Sequence, residues 1–226
     1  MGIIGVVAAL TLPNLNSSTG DKEKIAKVKK IYLNLEDALG RAQAVYGTIE
    51  DWDIVTQENN LLRIAMSSHV ERITEFMKIS KDCGKVAKAG CFSSSSVIYL
   101  NSNKITSWDN GATTYKYILN DGTSIAFVTA AGTNILFKIY VDIDGPNRGA
   151  NTLGKDLFIF IYNKSTGLAP YRAKNFTAYL SELKSQGETA SGWIMDYDNM
   201  DYLKFTDSNG TCSGGSTVTE TNPRCK

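Results

Sequence analysis

Apolar residues dominate the first fifteen positions of the chain. The run from Gly2 to Leu12 contains no charged side chain. It is about half as long as the ~20 apolar residues with which a helix spans a bilayer. Three interpretations stay open: the rear of a membrane anchor, the core of a signal peptide, or a core helix. A secretory signal fits poorly, because only Met1 precedes the run and Leu12–Leu15 is a poor cleavage site.

A second pattern begins at Asp21, where apolar and small residues recur at steps of three and four. This recurrence predicts an amphipathic helix that ends at Gly47. Asp21 and Glu23 fall in its first turn, where acidic side chains favour the helix dipole. Pro13 and the polar segment 16–20 predict a kink or a break between the two helical segments. The apolar stripe consists of Ile25, Val28, Tyr32, Leu35, Leu39, Ala42 and Tyr46.

Two further helices are predicted, from about residue 57 to residue 80 and from residue 174 to residue 186. The chain's single histidine, His69, falls on or beside the apolar side of the first of them, so we expect a core or boundary position and no catalytic role. In that helix the apolar side is formed by Leu62, Ala65, Met66, His69, Ile73, Phe76 and Met77. In the second helix the inward residues are Phe176, Tyr179, Leu180 and Leu183.

From Val97 onward short apolar runs alternate with turn residues, which is typical of β-strands. Asn120–Gly122 is a strong hairpin turn, because Asn, Asp and Gly tolerate positive φ. Consecutive strands joined in this way form an antiparallel meander, and we expect one face of it to pack on the apolar stripe. The predicted strands are 97–100, 113–119, 124–128, 135–142 and 157–162, with shorter strand segments at 193–195 and 200–205.

The four cysteines form two pairs that are close in sequence, Cys83 with Cys91 and Cys212 with Cys225. Neither pair has Cys-x-x-Cys spacing and no histidine lies near either, so a zinc site is not expected. Two local disulfides are the simpler interpretation, and they imply an oxidising compartment. The alternative is four reduced thiols in a cytosolic protein. A disulfide that closes a loop of about 13 residues stabilises a fold by ~3 kcal/mol.

Charge and histidine content exclude several classes of function. The net charge is +1, so the chain has no basic excess with which to neutralise nucleic-acid phosphates. The single histidine removes most catalytic schemes that rely on that residue.

Acidic pairs flank an aromatic residue at Asp51 and Asp53 and at Asp196 and Asp198, and an envelope hydrolase built on them is a remote alternative. No catalytic residue is assigned, and no enzyme is expected.

The segment from Asp142 to Asp156, named here the Asx loop, contains the densest set of oxygen ligands in the sequence. Calcium takes about six to eight oxygen ligands, and carboxylates and amide carbonyls in a Gly-rich loop suit it. The alternative is that these side chains build Asx-turns and satisfy loop amides without an ion. The candidate ligands are Asp142, Asp144, Asn147, Asn151 and Asp156. No motif identifies any cofactor other than this calcium.

The sequence Gly-Ile-Ile-Gly-Val-Val-Ala-Ala-Leu-Thr-Leu-Pro-Asn-Leu at positions 2–15 resembles the N-terminal helix of type IV pilins and type II secretion pseudopilins. The resemblance includes Pro13 and Leu15. The Asx loop and Phe158 also look like a loop found after the central sheet in large pilin-like proteins. Major pseudopilins build a calcium site in a loop at this place, which suggests calcium here by resemblance.

The resemblance implies an α+β fold with a long N-terminal helix on an antiparallel meander and a disulfide-closed C-terminal region. It divides the chain into an apolar helix segment, 1–20, and a globular domain, 21–226. The start typical of the family, a basic leader, a Gly-Phe junction and an early Glu, is absent from the sequence given. We therefore expect Gly2–Leu15 to be the rear of an assembly helix whose front portion is missing.

The implied function is that of a structural subunit of a pilus-like or pseudopilus-like extracellular filament. Its partners would be further copies of the chain, and the inner membrane before assembly; nucleic acid is not expected as the main partner. The alternative is a secreted or membrane-tethered surface binding module, such as an adhesin or a minor tip pilin. The assembly helix would use Ile3, Ile4, Val6, Val7, Leu10, Leu12, Pro13 and Leu15.

Overall fold

A computed structural model describes residues 3–49, 52, 61–85, 90–93, 97–105, 114–129 and 135–226, with the side chains of 3–18 and 61–67 left out. The described chain is α+β, as predicted. Its helices are α1 (Ile3–Tyr46), α2 (Leu61–Thr74), α3 (Phe176–Ser185) and α4 (Ala190–Tyr197), followed by a 3₁₀ helix (Asp201–Lys204). Its strands are β1 (Ile79–Gly84), β2 (Val97–Ile98), β3 (Lys104–Ile105), β4 (Thr114–Leu119), β5 (Ser124–Thr129), β6 (Ile135–Asp142), β7 (Leu157–Asn163) and β8 (Gly167–Pro170).

Six of these strands form one antiparallel sheet in the order β1-β4-β5-β6-β7-β8, while β2 and β3 pair separately. The run from β4 to β8 is the meander that the sequence predicts. Its first hairpin turns at Asn120–Gly122, where Gly122 has a φ of 86°. A residue without a side chain adopts this left-handed conformation at little cost, so the turn sequence sets the register of the hairpin.

The apolar stripe of α1 packs on one face of the sheet and forms the main core with it. Tyr32 meets Phe160 of β7 with ring centroids 5.7 Å apart. The buried side of α1 differs in detail from the predicted stripe, because Ile31 and Ala38 are also buried whereas Tyr46 is exposed. The buried residues of the helix are Ile25, Val28, Ile31, Leu35, Ala38, Leu39 and Ala42.

Polar contacts fasten α1 to three separate parts of the domain. The Lys24 ammonium donates to the Lys155 carbonyl at 2.9 Å. Lys29 pairs with Asp198, and Lys30 pairs with Asp121 of the first hairpin, each at 2.8 Å. Exposed ion pairs contribute little stability individually. Together they set the rotation and the axial position of the helix on the sheet.

The predicted break after Pro13 is wrong, because α1 is helical from Ile3 through Gly20 to Tyr46. Serine, threonine and asparagine each cost a helix well under ~1 kcal/mol relative to alanine. Segment 16–20 contains four such residues, and Gly20 costs about 1 kcal/mol. These costs do not end a helix whose rear half is buried on the sheet. A bend at Pro13 stays a prediction, as does the division of the chain at residue 20.

The opposite face of the sheet is covered in part by a second, smaller cluster. The disulfide between Cys83 and Cys91 lies there and joins edge strand β1 to the segment that follows it. The second disulfide, between Cys212 and Cys225, closes the C-terminal tail. Both predicted pairings are confirmed. The cluster itself consists of Cys91, Phe92, Val97, Ala126, Leu153, Leu157 and Ile159.

Several predicted elements are wrong. The helix predicted to end at residue 80 stops at Thr74, and Ile79–Gly84 is the edge strand β1. Residues 193–195 belong to α4, and residues 201–204 form the 3₁₀ helix. A short apolar run such as Trp193–Met195 does not distinguish a buried strand from a buried helix. Strands β3 and β8 were missed because each has at most four residues.

Helix α3 is confirmed. Asn175 caps its N-terminus, since the side-chain carbonyl accepts the amide of Ala178 at 2.9 Å. Tyr179, Leu180 and Leu183 are buried as predicted, and Phe176 packs against the same core. The helix thus positions the C-terminal region against the sheet.

Candidate functional site

The Asx loop joins β6 to β7 and is packed against the first hairpin and the α3–α4 turn. Gly145 has a φ of 80°. A Cβ at this position would lie only 2.4 Å from the carbonyl oxygen of Gly122. The same holds at Gly187, where a Cβ would lie 2.4 Å from the carbonyl oxygen of Leu153. Only glycine permits these approaches, so the backbone of the loop is tightly fixed.

Asp142 lies at the end of β6, and its side chain is completely buried. One carboxylate oxygen, Oδ1, accepts the amides of Asp144 at 3.3 Å and of Gly145 at 3.0 Å. This is the Asx-turn that the ion-free alternative predicts. The other oxygen, Oδ2, has no hydrogen-bond partner among the described residues. Burying an acceptor without a partner costs free energy, and a proton or a cation on this oxygen would offset that cost.

Burial, followed by the neighbouring carboxylate of Asp144, raises the pKa of Asp142 to about 8. Burial also raises the pKa of Asp156 to about 6, with a smaller contribution from the charge of Asp144. An oxygen of Asp156 accepts the amide of Thr152. Asp144, which is exposed, thus interacts with the buried Asp142 and with the half-buried Asp156. Close to pH 7, the carboxyl group of Asp142 therefore favours a bound proton or a neighbouring cation over a bare negative charge.

Among the five predicted calcium ligands, the carboxylate of Asp144 interacts with that of Asp142 and with that of Asp156. Asn147 is exposed, and Asn151 is buried with its amide nitrogen unpaired in the described part of the chain. In the described ranges, no three His, Cys, Asp or Glu side chains converge on a point that could hold a metal ion. The Asx-turn interpretation accounts for the loop amides, and the calcium site stays a prediction.

Backbone atoms of the loop bind the surrounding elements. The Tyr202 hydroxyl donates to the Gly154 carbonyl at 2.7 Å. The Ile98 amide donates to the Asn151 carbonyl at 2.9 Å, and the Leu153 amide donates to the Ile98 carbonyl at 3.0 Å. With the contact from Lys24 described above, the loop therefore ties α1, β2 and the 3₁₀ helix to the end of the sheet.

The predicted assembly residues from Ile3 to Leu15 lie in the helical backbone of α1, and their side chains are outside the described residues. A search of the described part for a helix with the length and hydropathy needed to cross a membrane found no candidate. The role of these residues in assembly therefore stays a prediction.

Of the two acidic pairs, only Asp196 and Asp198 lie in the described part of the chain. Asp51 and Asp53 lie outside the described residues. Asp196 accepts hydrogen bonds from Arg172 at 3.0 Å and from the Tyr179 hydroxyl at 2.7 Å, and Asp198 pairs with Lys29. Both carboxylates of this pair are thus engaged in holding the fold.

His69 is buried, as predicted, with its ring centroid 5.5 Å from that of Trp52. It belongs to α2 and packs on Trp52, which follows the end of α1. This position explains why a polar residue appears on the apolar side of the helix.

One cavity was not predicted from the sequence. A cleft of about 560 Å³ lies between the middle of α1 and the C-terminal segment, with Ile25 and Lys29 on one side and Met200, Lys204 and Arg224 on the other. The residues that line it are separated by more than 160 positions in the chain. Sequence spacing gives no indication of such a cleft.

Comparison of the chain with protein families, with curated proteins and with solved structures found no match in any of the three.

Proposed function

We propose that the chain is a structural subunit of an extracellular filament of the type IV pilus or type II secretion pseudopilus kind, assembling through its N-terminal helix. The proposal rests on one observation. A single helix of 44 residues joins an uncharged apolar segment to an amphipathic segment that is buried on the sheet.

The two halves of α1 have different physical requirements. The rear half buries one side, from Ile25 to Ala42, and exposes charged residues on the other. The front half, Ile3–Leu15, is apolar on every side, and such a helix is stable only within an apolar environment. A lipid bilayer and a bundle of identical helices both provide that environment.

A bundle of front halves leads to a fibre because the contact is between different surfaces of neighbouring copies. A head-to-tail contact that does not close into a ring continues indefinitely. The ion pairs of Lys29 and Lys30 support this arrangement, because they keep the helix at a fixed position on each domain. A shift of one helix would then carry its whole domain with it.

Electron microscopy of the purified full chain, together with sedimentation, tests the proposal. A filament subunit forms fibres whose mass increases with concentration. A tethered surface binding module, the alternative function, stays monomeric and retains ligand binding. A monomer at every concentration, also after addition of an upstream apolar segment that completes a ~20-residue helix, would contradict the filament proposal.

A further inference from the structure

Positive charge is concentrated at the end of the domain from which the apolar segment of α1 continues. Residues 21–30 contain five lysines and two acids, which gives this stretch a net charge of +3. The whole chain carries only +1, so the remainder of the chain has a net charge of −2. The positive excess therefore belongs to one short stretch of helix that closely follows the uncharged segment.

The fold adds two distant cations to this end of the domain. Lys204 and Arg224 line the cleft of about 560 Å³ together with Lys22 and Lys29 of α1. The second disulfide closes the tail that carries Arg224, so this wall of the cleft is held in place. We name the following five residues the basic patch: Lys22, Lys24, Lys29, Lys204 and Arg224.

Two of the acids that line the cleft are neutralised within the fold. Asp198 pairs with Lys29 at 2.8 Å. Asp201 uses Oδ1 to pair with Lys204 and Oδ2 to accept the amide of Cys225 at 3.0 Å. These two carboxylates therefore do not offset the remaining charge of the basic patch.

Three cations of the basic patch form no ion pair with any residue in the described ranges. Lys24 and Arg224 donate to backbone carbonyls, which carry no net charge. Lys22 is exposed at the edge of the cleft. Asp21 is the cleft acid that has no cationic partner in the described part of the chain. Three cations against one acid leave the surface positive.

The basic patch would lie at the level of lipid headgroups if the apolar segment of α1 entered a bilayer. Lys22 follows Leu15 by seven residues, which is ~10 Å along a continuous helix. Electrostatic attraction reaches ~8–10 Å at physiological ionic strength, and lysine side chains extend toward the interface. Residues 16–20 are polar and uncharged, so they fit the space between the hydrocarbon and the patch.

We propose that the basic patch binds the anionic headgroups of a membrane surface and holds the domain against the bilayer before assembly. Lysines and arginines next to a membrane segment each strengthen binding to anionic lipid by about five-fold. A membrane complements the patch better than an acidic protein does, because the charge follows the uncharged apolar segment so closely. The inference rests on the proposed function in one respect, that the front half of α1 enters a membrane before assembly.

Cosedimentation of the full chain with lipid vesicles tests the proposal. One vesicle contains phosphatidylcholine alone, and the other contains about one-third phosphatidylglycerol, which is anionic. At ~0.1 M NaCl the chain should bind the anionic vesicles at least about ten-fold more tightly, and this preference should disappear at ~0.5 M NaCl. Equal affinity for the two vesicles, a preference that persists at high salt, or no binding to either vesicle would overturn the proposal.

Two double variants separate the basic patch from net charge. Lys22→Gln/Arg224→Gln removes two cations of the patch and should weaken binding to the anionic vesicles about ten-fold. Lys78→Gln/Lys164→Gln removes the same charge elsewhere and should weaken binding less than about two-fold. All four side chains are exposed, so the fold should tolerate both changes. Losses of equal size would show that net charge alone governs binding, and the patch would be rejected.

The control positions lie toward the rear end of α1. Lys78 lines a small cleft with Arg41, and Lys164 is two residues after Tyr162, whose hydroxyl accepts from Gln43 at 3.3 Å. Residues 22 and 41 are ~28 Å apart along the helix, or roughly three Debye lengths. The two cations of the control variant are therefore screened from a membrane at the patch.

Two further measurements distinguish this inference from neighbouring explanations. Inorganic phosphate should release the chain from anionic vesicles no better than NaCl of equal ionic strength does; stronger release would assign a discrete phosphate site and contradict surface binding. Electron microscopy of the same samples reports on fibres separately. A preference for anionic vesicles without fibres would contradict only the filament proposal, and fibres without that preference would contradict only this inference.

Discussion

A single buried carboxyl group dominates the chemistry of the Asx loop. Asp142 is completely buried, uses Oδ1 to accept two loop amides and leaves Oδ2 without a hydrogen-bond partner in the described ranges. Burial, followed by the nearby carboxylate of Asp144, raises its pKa to about 8. The folded state therefore binds a proton between pH ~4 and pH ~8 that the unfolded state releases, and stability falls as pH rises through this window.

Replacing Asp142 by Asn should remove this pH dependence. The amide carbonyl still accepts the two loop amides, but it carries no charge at high pH. Between pH 5 and pH 9 the free energy of unfolding of the unmodified chain should fall by roughly 2–5 kcal/mol, and that of Asp142→Asn by much less. Urea unfolding at several pH values measures this. Parallel profiles for the two proteins would show that the carboxyl group is not protonated in the fold.

Calcium should compete with the proton for the same buried oxygen. If the loop binds calcium through Asp142, Asp144 and Asp156, millimolar calcium should raise the melting temperature more at pH 8.5 than at pH 5.5, because ligands must be deprotonated. Asp142→Asn should abolish the calcium-induced rise in melting temperature. Magnesium should raise the melting temperature less than calcium does, because it requires a tighter octahedral shell. The absence of any calcium effect at both pH values would assign the loop to Asx-turns alone.

At the scale of elements, α1 is held to the sheet by its buried stripe. Leu35 has no exposed surface, whereas Leu33 on the same helix is 62% exposed. These two positions separate the effect of packing from that of helix propensity, because the residue type and the helix are the same. The stripe was predicted because its repeat of three and four residues depends only on local geometry.

Leu35→Ala should destabilise the domain by about 2–5 kcal/mol through lost burial and the cavity that it leaves. Leu33→Ala should change stability by less than ~0.5 kcal/mol, as surface substitutions usually do. Chemical denaturation of both variants provides the comparison. Similar losses at the two positions would contradict the packing of α1 that the structure shows.

The C-terminal disulfide should also contribute strongly. Its removal in Cys212→Ala/Cys225→Ala opens a loop of 13 residues and should cost about 3 kcal/mol. The tail should loosen with it, because the Cys225 amide donates to Asp201 and the Asn199 amide donates to Pro223. Cys83→Ala/Cys91→Ala is a comparison variant with a loop of 8 residues and a smaller expected loss. Unchanged stability of the first variant would show that other contacts alone hold the tail.

Sequence patterns predicted the elements that long periodic runs define and failed where elements are short. Strand β6 and the Asn120–Gly122 turn were correct, because their own residues favour them. Strand β1 was missed because Lys81 and Asp82 are both exposed, which removes the alternation of an ordinary strand. The burial of Asp142 depends on how distant segments meet, and no local pattern contains that information.

At the scale of the whole molecule, the two faces of the sheet carry different structures. One face holds α1 and fixes the direction of the apolar segment that continues from it. The opposite face carries the second cluster. In a filament with its helices at the centre, we expect this second face to point outward.

The central claim is that the apolar half of α1 drives assembly. Val7→Lys places a charge in that half, where its transfer into an apolar bundle is expensive. Val45→Lys is the matched control, since Val45 is on the same helix and 62% exposed. Sedimentation and electron microscopy measure the outcome at equal concentration for the three proteins, each carrying the upstream apolar segment that completes a ~20-residue helix. Filaments of the unmodified chain and of Val45→Lys, with only monomer for Val7→Lys, are the predicted result. Filaments formed equally well by Val7→Lys would contradict it.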